Sequence, residues 1–453
     1  MTIREHYPKF HIIPDGEAAV IFFPDSLKFH LTTAALSPAF LLAKDGATSS
    51  RIQSECGIRE AQYAEVINVI KQCALPLPDS EWDVEDFSTL ILNVSNDCNM
   101  MCGYCYANHG LYRSQRGLMS SETAIKAIDR FANRFHRIRE IKFFGGEPLM
   151  NPSTIEAAIV HAIALADCGI LEKVPRFKVI TNGTIINDTV LRLVKDYHIN
   201  IVFSVDGPPE IHDYARVFRS NAPTYQLIRE HFDQLKAMTG GKQPLSIEVT
   251  YSNAHYQAGL RIIDTVQYLY DSFHLVPGQV NVSLANLPSN HPLALPSGSR
   301  CWSRFAEDVV NLKRNGGRFL GDLKLMGLIH RIKHRKKGTG PLCSAGNAWS
   351  AVSASGSVYP CLMFIDEDDF LMGRVKEDFF DSDRYGEISK YFQQSGWRSN
   401  APCRECFARN ICNRCAGINR FLTGSVYGHS QEQCEEMRAC VSALICGIAE
   451  GFL

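Results

Sequence analysis

The pattern of apolar and polar positions divides the 453-residue chain into three stretches. In the first, residues 18–23 form an unbroken apolar run. Residues 24–26 (Pro-Asp-Ser) carry turn chemistry, and residues 27–31 alternate, which together predicts a β-hairpin. Helical periodicity follows over 33–44, 47–55 and 58–72. Residues 1–80 are therefore expected to form a winged-helix-like domain, with 75–81 as a linker. In the second stretch, short apolar runs at 89–95, 140–144, 176–181, 200–205, 245–251 and 279–284 alternate with helical patterns such as 121–135, 154–166 and 188–197. Such alternation predicts an α/β fold with a parallel sheet. Six units are too few to close an eight-stranded barrel, so 88–318 should form a partial (β/α)6 barrel of the TIM type. Its chemistry should sit where the strands end at their carboxyl side. The third stretch, 319–453, is cysteine-rich and poorly periodic.

Charge and composition narrow the classes. A formal net charge of −1 gives no pull toward nucleic acid or anionic lipid. From Lys44 to Cys73, Lys44, Arg51, Arg59 and Lys71 balance Asp45, Glu55, Glu60 and Glu65, so the first domain lacks the basic face of a DNA reader. No apolar run reaches membrane-spanning length, and the start lacks the apolar segment of a signal peptide. A cytoplasmic protein is expected, without a nucleic-acid or membrane partner. In that reducing compartment, sixteen cysteines point to metal rather than disulfides. Eight of the sixteen lie between Cys343 and Cys440.

Cys98, Cys102 and Cys105 follow the first barrel strand as C-x3-C-x2-C. Three thiolates can hold three irons of a [4Fe–4S] cube and leave the fourth open to a small molecule. Zinc would want a fourth ligand, and none is near in sequence. Further on, 143–148 read Phe-Phe-Gly-Gly-Glu-Pro, a strand end whose glycines admit close backbone approach and whose carbonyls and carboxylate can receive an ammonium. The sequences 181–184 (Thr-Asn-Gly-Thr), 204–208 (Ser-Val-Asp-Gly-Pro) and 212–216 (His-Asp-Tyr-Ala-Arg) place short polar groups at two more strand ends. These suit a hydroxyl-rich ligand, or they cap turns through Asn182, Asp206 and Asp213.

The three-cysteine loop and the Gly145-Gly146-Glu147 loop resemble the signature of radical S-adenosylmethionine (SAM) enzymes. The resemblance implies that SAM chelates the open iron and that Tyr104 lies beside the adenine. It implies that Gly145, Gly146 and Glu147 take the SAM amino group, and that Asn182, Ser204, Asp206 and Arg216 line the SAM pocket.

The later cysteines run Cys343-x12-Gly356-x4-Cys361, then Cys403-x2-Cys406-x5-Cys412-x2-Cys415, then Cys434. This resembles the SPASM extension of peptide-modifying radical SAM enzymes, although the family spacing before its equivalent of Cys415 is one residue longer. The resemblance implies two auxiliary [4Fe–4S] clusters, hence three in all. Cys403, Cys406, Cys412 and Cys434 would hold the outer one. Cys343, Cys361 and Cys415 would hold the inner one, with Cys440 the nearest spare thiol. The alternative reading is a zinc ribbon on the 403/406 and 412/415 pairs, within a winged-helix regulator. Cys56, Cys73, Cys168, Cys301 and Cys446 have no motif and read as core. The basic run 331–337 reads as a solvated loop, or as a contact for an acidic peptide.

Taken together, the chain resembles a maturase of ribosomally synthesised peptides of the ranthipeptide and sactipeptide type. The resemblance implies a precursor whose leader adds a strand to the edge of the 1–80 hairpin and an electron donor such as flavodoxin or ferredoxin. A 5′-deoxyadenosyl radical would lead to a thioether between a cysteine sulfur and an unactivated carbon. Other enzymatic readings are oxidation of a sulfatase Cys or Ser to formylglycine, and carbon–carbon crosslinking. Sulfatase maturases carry an aspartate after the equivalent of Cys361, where this chain has Leu362.

Overall fold

The computed structural model describes residues 9–78, 86–241, 245–338 and 343–453. Part of the expected 75–81 linker and most of the amino-terminal segment therefore lie outside the described residues.

The chain begins with an antiparallel sheet of three strands, β1 (His11–Asp15), β2 (Ala18–Phe23) and β3 (Lys28–Thr33), in that spatial order. Helices α1 (Ser37–Lys44), α2 (Ser49–Cys56) and α3 (Glu60–Cys73) follow. The hairpin of β2 and β3 and the three helices correspond to the expected elements. β1 was not anticipated, because Pro14 interrupts a very short apolar run. It is an edge strand, where proline's missing donor is tolerated.

The central strand β2 is apolar throughout because both of its faces are covered. Ile21 and Phe23 pack with Phe40, Val66 and Ile70 of this unit's own core, while Val20 and Phe22 join the core of the main body. The amino-terminal unit is thus fused to the rest of the protein by its sheet.

The main body contains β4 (Asp86–Ser95), α4 (Ser121–Arg134), β5 (Arg137–Gly145), α5 (Pro152–Asp167), β6 (Arg176–Thr181), α6 (Asp188–Tyr197), β7 (Asn200–Ser204), α7 (Pro209–Ala215), α8 (Tyr225–Met238), β8 (Leu245–Tyr251), α9 (Asn253–Gln257), α10 (Ile262–Ser272) and β9 (Val280–Leu284). Strands β4 to β9 are parallel and adjacent in chain order. Period-2 alternation gives the sheet two unlike faces. Phe143, Val179, Phe203, Ile247 and Val249 are fully buried on one face. Glu140, Lys142, Lys178 and Glu248 occupy the alternate positions.

Beyond α11 (Cys301–Arg314) and α12 (Leu323–Lys333), strands β10 (Trp349–Val352), β11 (Ser357–Tyr359) and β12 (Gly373–Arg374) continue the same sheet. β10 runs parallel to β4, with Ala351 opposite Ile91, so the sheet has nine strands and crosses the position 318 boundary. Helices α13 (Asp383–Gln393), α14 (Ala401–Arg404), α15 (Ala416–Thr423) and α16 (Gln431–Ala449) complete the chain. The sequence of α16 shows weak periodicity for a physical reason. It packs against α11, α12 and the β1–β3 sheet at once, so apolar residues surround much of its circumference.

The basic run proves to be a fastening. Arg335 Nε donates to the Ser26 carbonyl at 3.1 Å, Lys337 Nζ to Leu77 O at 2.6 Å, and Arg331 Nη1 to Ile411 O at 3.3 Å. These cations tie the amino-terminal unit and the cysteine-rich region to the end of α12. Among the described residues, no helix is long and apolar enough to cross a membrane.

Candidate active site

The loop after β4 carries Cys98, Cys102 and Cys105 to the carboxyl end of the sheet. It is zipped to the segment after α7: Met101 N–H bonds Val217 O and Gly103 N–H bonds Ala215 O, both at 2.8 Å. Cys98 Sγ accepts from Met100 N–H at 3.4 Å and Cys105 Sγ from His109 N–H at 3.2 Å. Burial pushes the Cys98 thiol up to about 12 and Cys102 up to about 11. Such thiols ionise only against a bound cationic centre.

The Gly145-Gly146-Glu147 loop packs directly on this one. Gly146 N–H donates to Ser95 O and Glu147 N–H to Asp97 O, each at 2.8 Å. A side chain on Gly146 would collide with the Asp97 carbonyl and stand 2.8 Å from Gly110 Cα. Gly145, at φ 142°, would likewise strike the Ser95 carbonyl. Gly146→Ala is therefore expected to part the two loops. It should abolish SAM binding in equilibrium dialysis and lower the melting temperature by several degrees.

Glu147 is not placed as expected. Its side chain is fully buried, and burial raises its carboxyl to about 7. Both oxygens are already engaged. Oε1 accepts from Leu149 N–H at 2.9 Å and the Thr181 hydroxyl at 2.7 Å, and Oε2 accepts from Asn182 N–H at 2.7 Å. The carboxyl joins two strand ends rather than standing free for a ligand. Asn182 is also turned inward: its amide donates to Asn99 Oδ1 at 2.8 Å and lies 3.7 Å from Cys98 Sγ, so it orients the cysteine loop.

Tyr104, Asp206 and Arg216 converge. Arg216 Nη1 donates to Tyr104 Oη at 2.7 Å, and that hydroxyl donates in turn to Asp206 Oδ2. Asp206 Oδ1 receives Thr250 N–H at 2.9 Å. Arg216 is only 7% exposed, and its Nε has no partner. A guanidinium with terminal N–H groups left over from Tyr104 fits a ligand carboxylate. Ser204 ends β7 and is half-buried.

Two histidines hold the Asp206 turn. His212 Nδ1 accepts Asp206 N–H at 3.2 Å, and His255 Nε2 lies 2.5 Å from Asp206 O. His255 was not anticipated; its one signal is the Ser252-x-x-His255 capping box after β8.

The later cysteines form two separate groups. Cys343, Cys361 and Cys415 lie within one another's electric field. Gly356, at φ 86°, makes the β10–β11 turn that delivers Cys361. Met363 and Phe364 N–H groups donate to the Cys361 sulfur, and Ala345 and Ala416 N–H groups to that of Cys343. Cys403, Cys406, Cys412 and Cys434 form the other group, where Arg414 Nη1 donates to Cys434 Sγ at 3.1 Å.

Cys440 joins neither group. It is buried among α11, α12 and α16, in the field of Glu307, Asp322, Lys324 and Glu436, so it is a core thiol and no spare ligand for the inner set. Among the described residues, no three His, Cys, Asp or Glu side chains converge as a ready single-ion chelate.

Tyr106 is half exposed and lies in the field of both Cys105 and Cys361, so its ring stands near the first three cysteines and the inner group alike. Lys142 and Glu248 also keep accessible surface while enclosed, and each feels the other's charge. Their strands, β5 and β8, are not neighbours. Both rise from the charged face of the sheet, whose curvature brings them toward one partly accessible space, the lumen.

Comparison with known proteins defines the class. Residues 92–241 match the model of the Radical SAM superfamily, and this part of the chain is a radical SAM domain, which implies SAM and a [4Fe–4S] cluster. An uncharacterized protein of Methanocaldococcus jannaschii is 34% identical over 31% of this chain, but the match spans only 46% of that protein's length. A cysteine-type anaerobic sulfatase-maturating enzyme of Clostridium perfringens is 22% identical over 72% of this chain and 89% of its own. Among solved structures, anSMEcpe with bound AdoMet superposes with a TM-score of 0.64 at 19% identity, covering 80% of this chain and 99% of that one. Streptococcus suis SuiB bound to the precursor peptide SuiA gives 0.54 at 12% identity over 93% and 99%. At these identities the superpositions establish the fold.

Proposed function

We propose that this chain is a radical SAM enzyme that matures a ribosomally made precursor peptide by joining a cysteine sulfur to an unactivated carbon. The observation carrying this reading is that Tyr106, half exposed, lies in the field of both Cys105 and Cys361, so the first three cysteines and the inner three-thiol set border one stretch of accessible surface. Cys98, Cys102 and Cys105 would hold the first [4Fe–4S] cluster. Cys343, Cys361 and Cys415 would hold an inner auxiliary cluster, and Cys403, Cys406, Cys412 and Cys434 an outer one. SAM bound to the first cluster supplies, on one-electron reduction by a flavodoxin or ferredoxin, the radical that takes hydrogen from carbon.

The chain's own groups do the rest. The terminal N–H groups of Arg216 not used by Tyr104 would take the SAM carboxylate, and the carbonyls of Gly145 and Gly146 its ammonium. Tyr104 holds Arg216 in place, with Asp206 behind it. The helices covering the outer sheet face exclude water. The expected composition is about twelve irons per chain, at four per cluster. Iron and sulfide analysis of anaerobically prepared protein checks it; one zinc and no sulfide would end the reading.

A second reading, oxidation of a sulfatase residue, draws on the coverage of the Clostridium perfringens enzyme. Leu362 follows Cys361 and offers no base. Mass spectrometry of a small precursor encoded beside the gene, after co-expression, separates the two. A thioether costs the peptide two hydrogens and leaves no aldehyde, whereas formylglycine reacts with hydrazides.

Leader binding is assigned to the outer edge of β3. Ala34 N–H bonds Glu17 O, so by antiparallel alternation Thr32 and His30 face β2, while Thr33, Leu31 and Phe29 turn their N–H groups outward. Deleting residues 1–80 would bare the Val20 and Phe22 side of the main core, so one substitution is the cleaner probe. Leu31→Pro removes an outward donor and no ladder bond. It is expected to weaken precursor binding at least about tenfold, by loss of a backbone hydrogen bond and a blocked edge. SAM cleavage without peptide should be unchanged. Equal precursor affinity in fluorescence anisotropy would count against this edge.

A further inference from the structure

We propose that Lys142, held over Trp349 inside the barrel, is the docking group for a carboxylate side chain of the peptide substrate. This deepens the maturase reading and rests on it.

The lumen carries several ionised groups, and most are already committed. Lys178 Nζ pairs with Glu140 Oε2 at 2.9 Å. Arg216 bonds Tyr104, which bonds Asp206. Glu248 Oε1 receives the Asn281 amide at 3.3 Å. Among the described residues, Lys142 has no carboxylate within ion-pair distance. Its ammonium instead lies 5.2 Å from the Trp349 ring centroid. A cation–π contact steadies an ammonium but supplies no hydrogen-bond acceptor.

An enclosed ammonium short of an anionic partner is costly, and a partner arriving with the substrate removes that cost. The position suits such a role. Lys142 keeps accessible surface on the charged face of the sheet, in the field of Glu140, Lys178, Glu248 and Cys361. Trp349 offers the same segment an apolar floor. An aspartate or glutamate entering the lumen would meet Lys142 and be fixed beside the inner thiol set. An asparagine of the same shape would leave the ammonium unpaired. The preference therefore comes from charge, not size.

The probe is N-acetylaspartate N-methylamide, with the asparagine analogue as its neutral match. Binding to reconstituted full-length enzyme is measured by saturation-transfer NMR of the acetyl methyl group, with 5′-deoxyadenosine assayed separately. The acid should bind at least about tenfold more tightly than the amide, as a charge-assisted hydrogen bond requires. Lys142→Met, apolar and similar in length, should erase that preference, and Lys142→Arg should retain it. Unchanged melting temperatures establish that the variants fold. Equal binding of acid and amide to the natural enzyme overturns the proposal, as does an acid preference that survives in Lys142→Met. Failure of the SAM reading shows differently, as absent 5′-deoxyadenosine with the acid preference intact.

Discussion

Replacing Cys98, Cys102 and Cys105 together with alanine is expected to abolish 5′-deoxyadenosine formation and to leave about eight of about twelve irons in place, at four per cluster. All three thiols sit on one loop, fastened by backbone bonds to the segment after α7 and by Glu147 N–H to the glycine loop. No outer-group cysteine is among the charges acting on Cys98 or Cys102, so their loss should not disturb those cysteines. Retention of the remaining irons shows that the variant folds. Chromatography of the anaerobic reaction measures the product. Undiminished 5′-deoxyadenosine would sink the assignment of these three residues.

The second large effect is expected at the inner group. Cys343→Ala, Cys361→Ala and Cys415→Ala in one chain should stop peptide modification while 5′-deoxyadenosine continues to form without it. The lumen geometry motivates this split. Cys361 lies in the field of Tyr106 and Lys142, whereas Arg216, bonded to Tyr104, and the Gly145–Gly146 loop stand with the first cysteines. About four irons should be lost. Mass spectrometry of the co-expressed precursor together with iron analysis provides the check. Full peptide modification in this triple variant would show the inner group to be dispensable.

Much of the barrel was legible because its strands and helices obey simple periods. The runs at 176–181 and 245–251 form β6 and β8 over the same residues, and 188–197 forms α6. Each is bounded by turn residues and is buried on a face that its alternation reveals. The nine-stranded extent of the sheet was not legible. β10 to β12 are two to four residues long, too short to show a period, and β10 pairs with β4 across more than 250 positions. α16 hid for the opposite reason, being apolar on too many sides.

At the site, the sequence by itself determined which residues could do chemistry. Cysteine spacing, the paired glycines and polar residues at strand ends are local properties, fixed by side-chain type and chain distance. It could not determine which way those side chains turn. Glu147 looked like a free carboxylate, but three internal donors claim it. Cys440 looked like a spare ligand, but helix packing buries it among acidic and basic groups instead. The charged lumen of Lys142, Glu248 and Trp349 had no linear signature at all. Its members come from β5, β8 and β10, and only the curvature of the sheet brings their side chains to one cavity. Proximity between distant strands is set by how the whole sheet closes, and no local pattern along the chain records it.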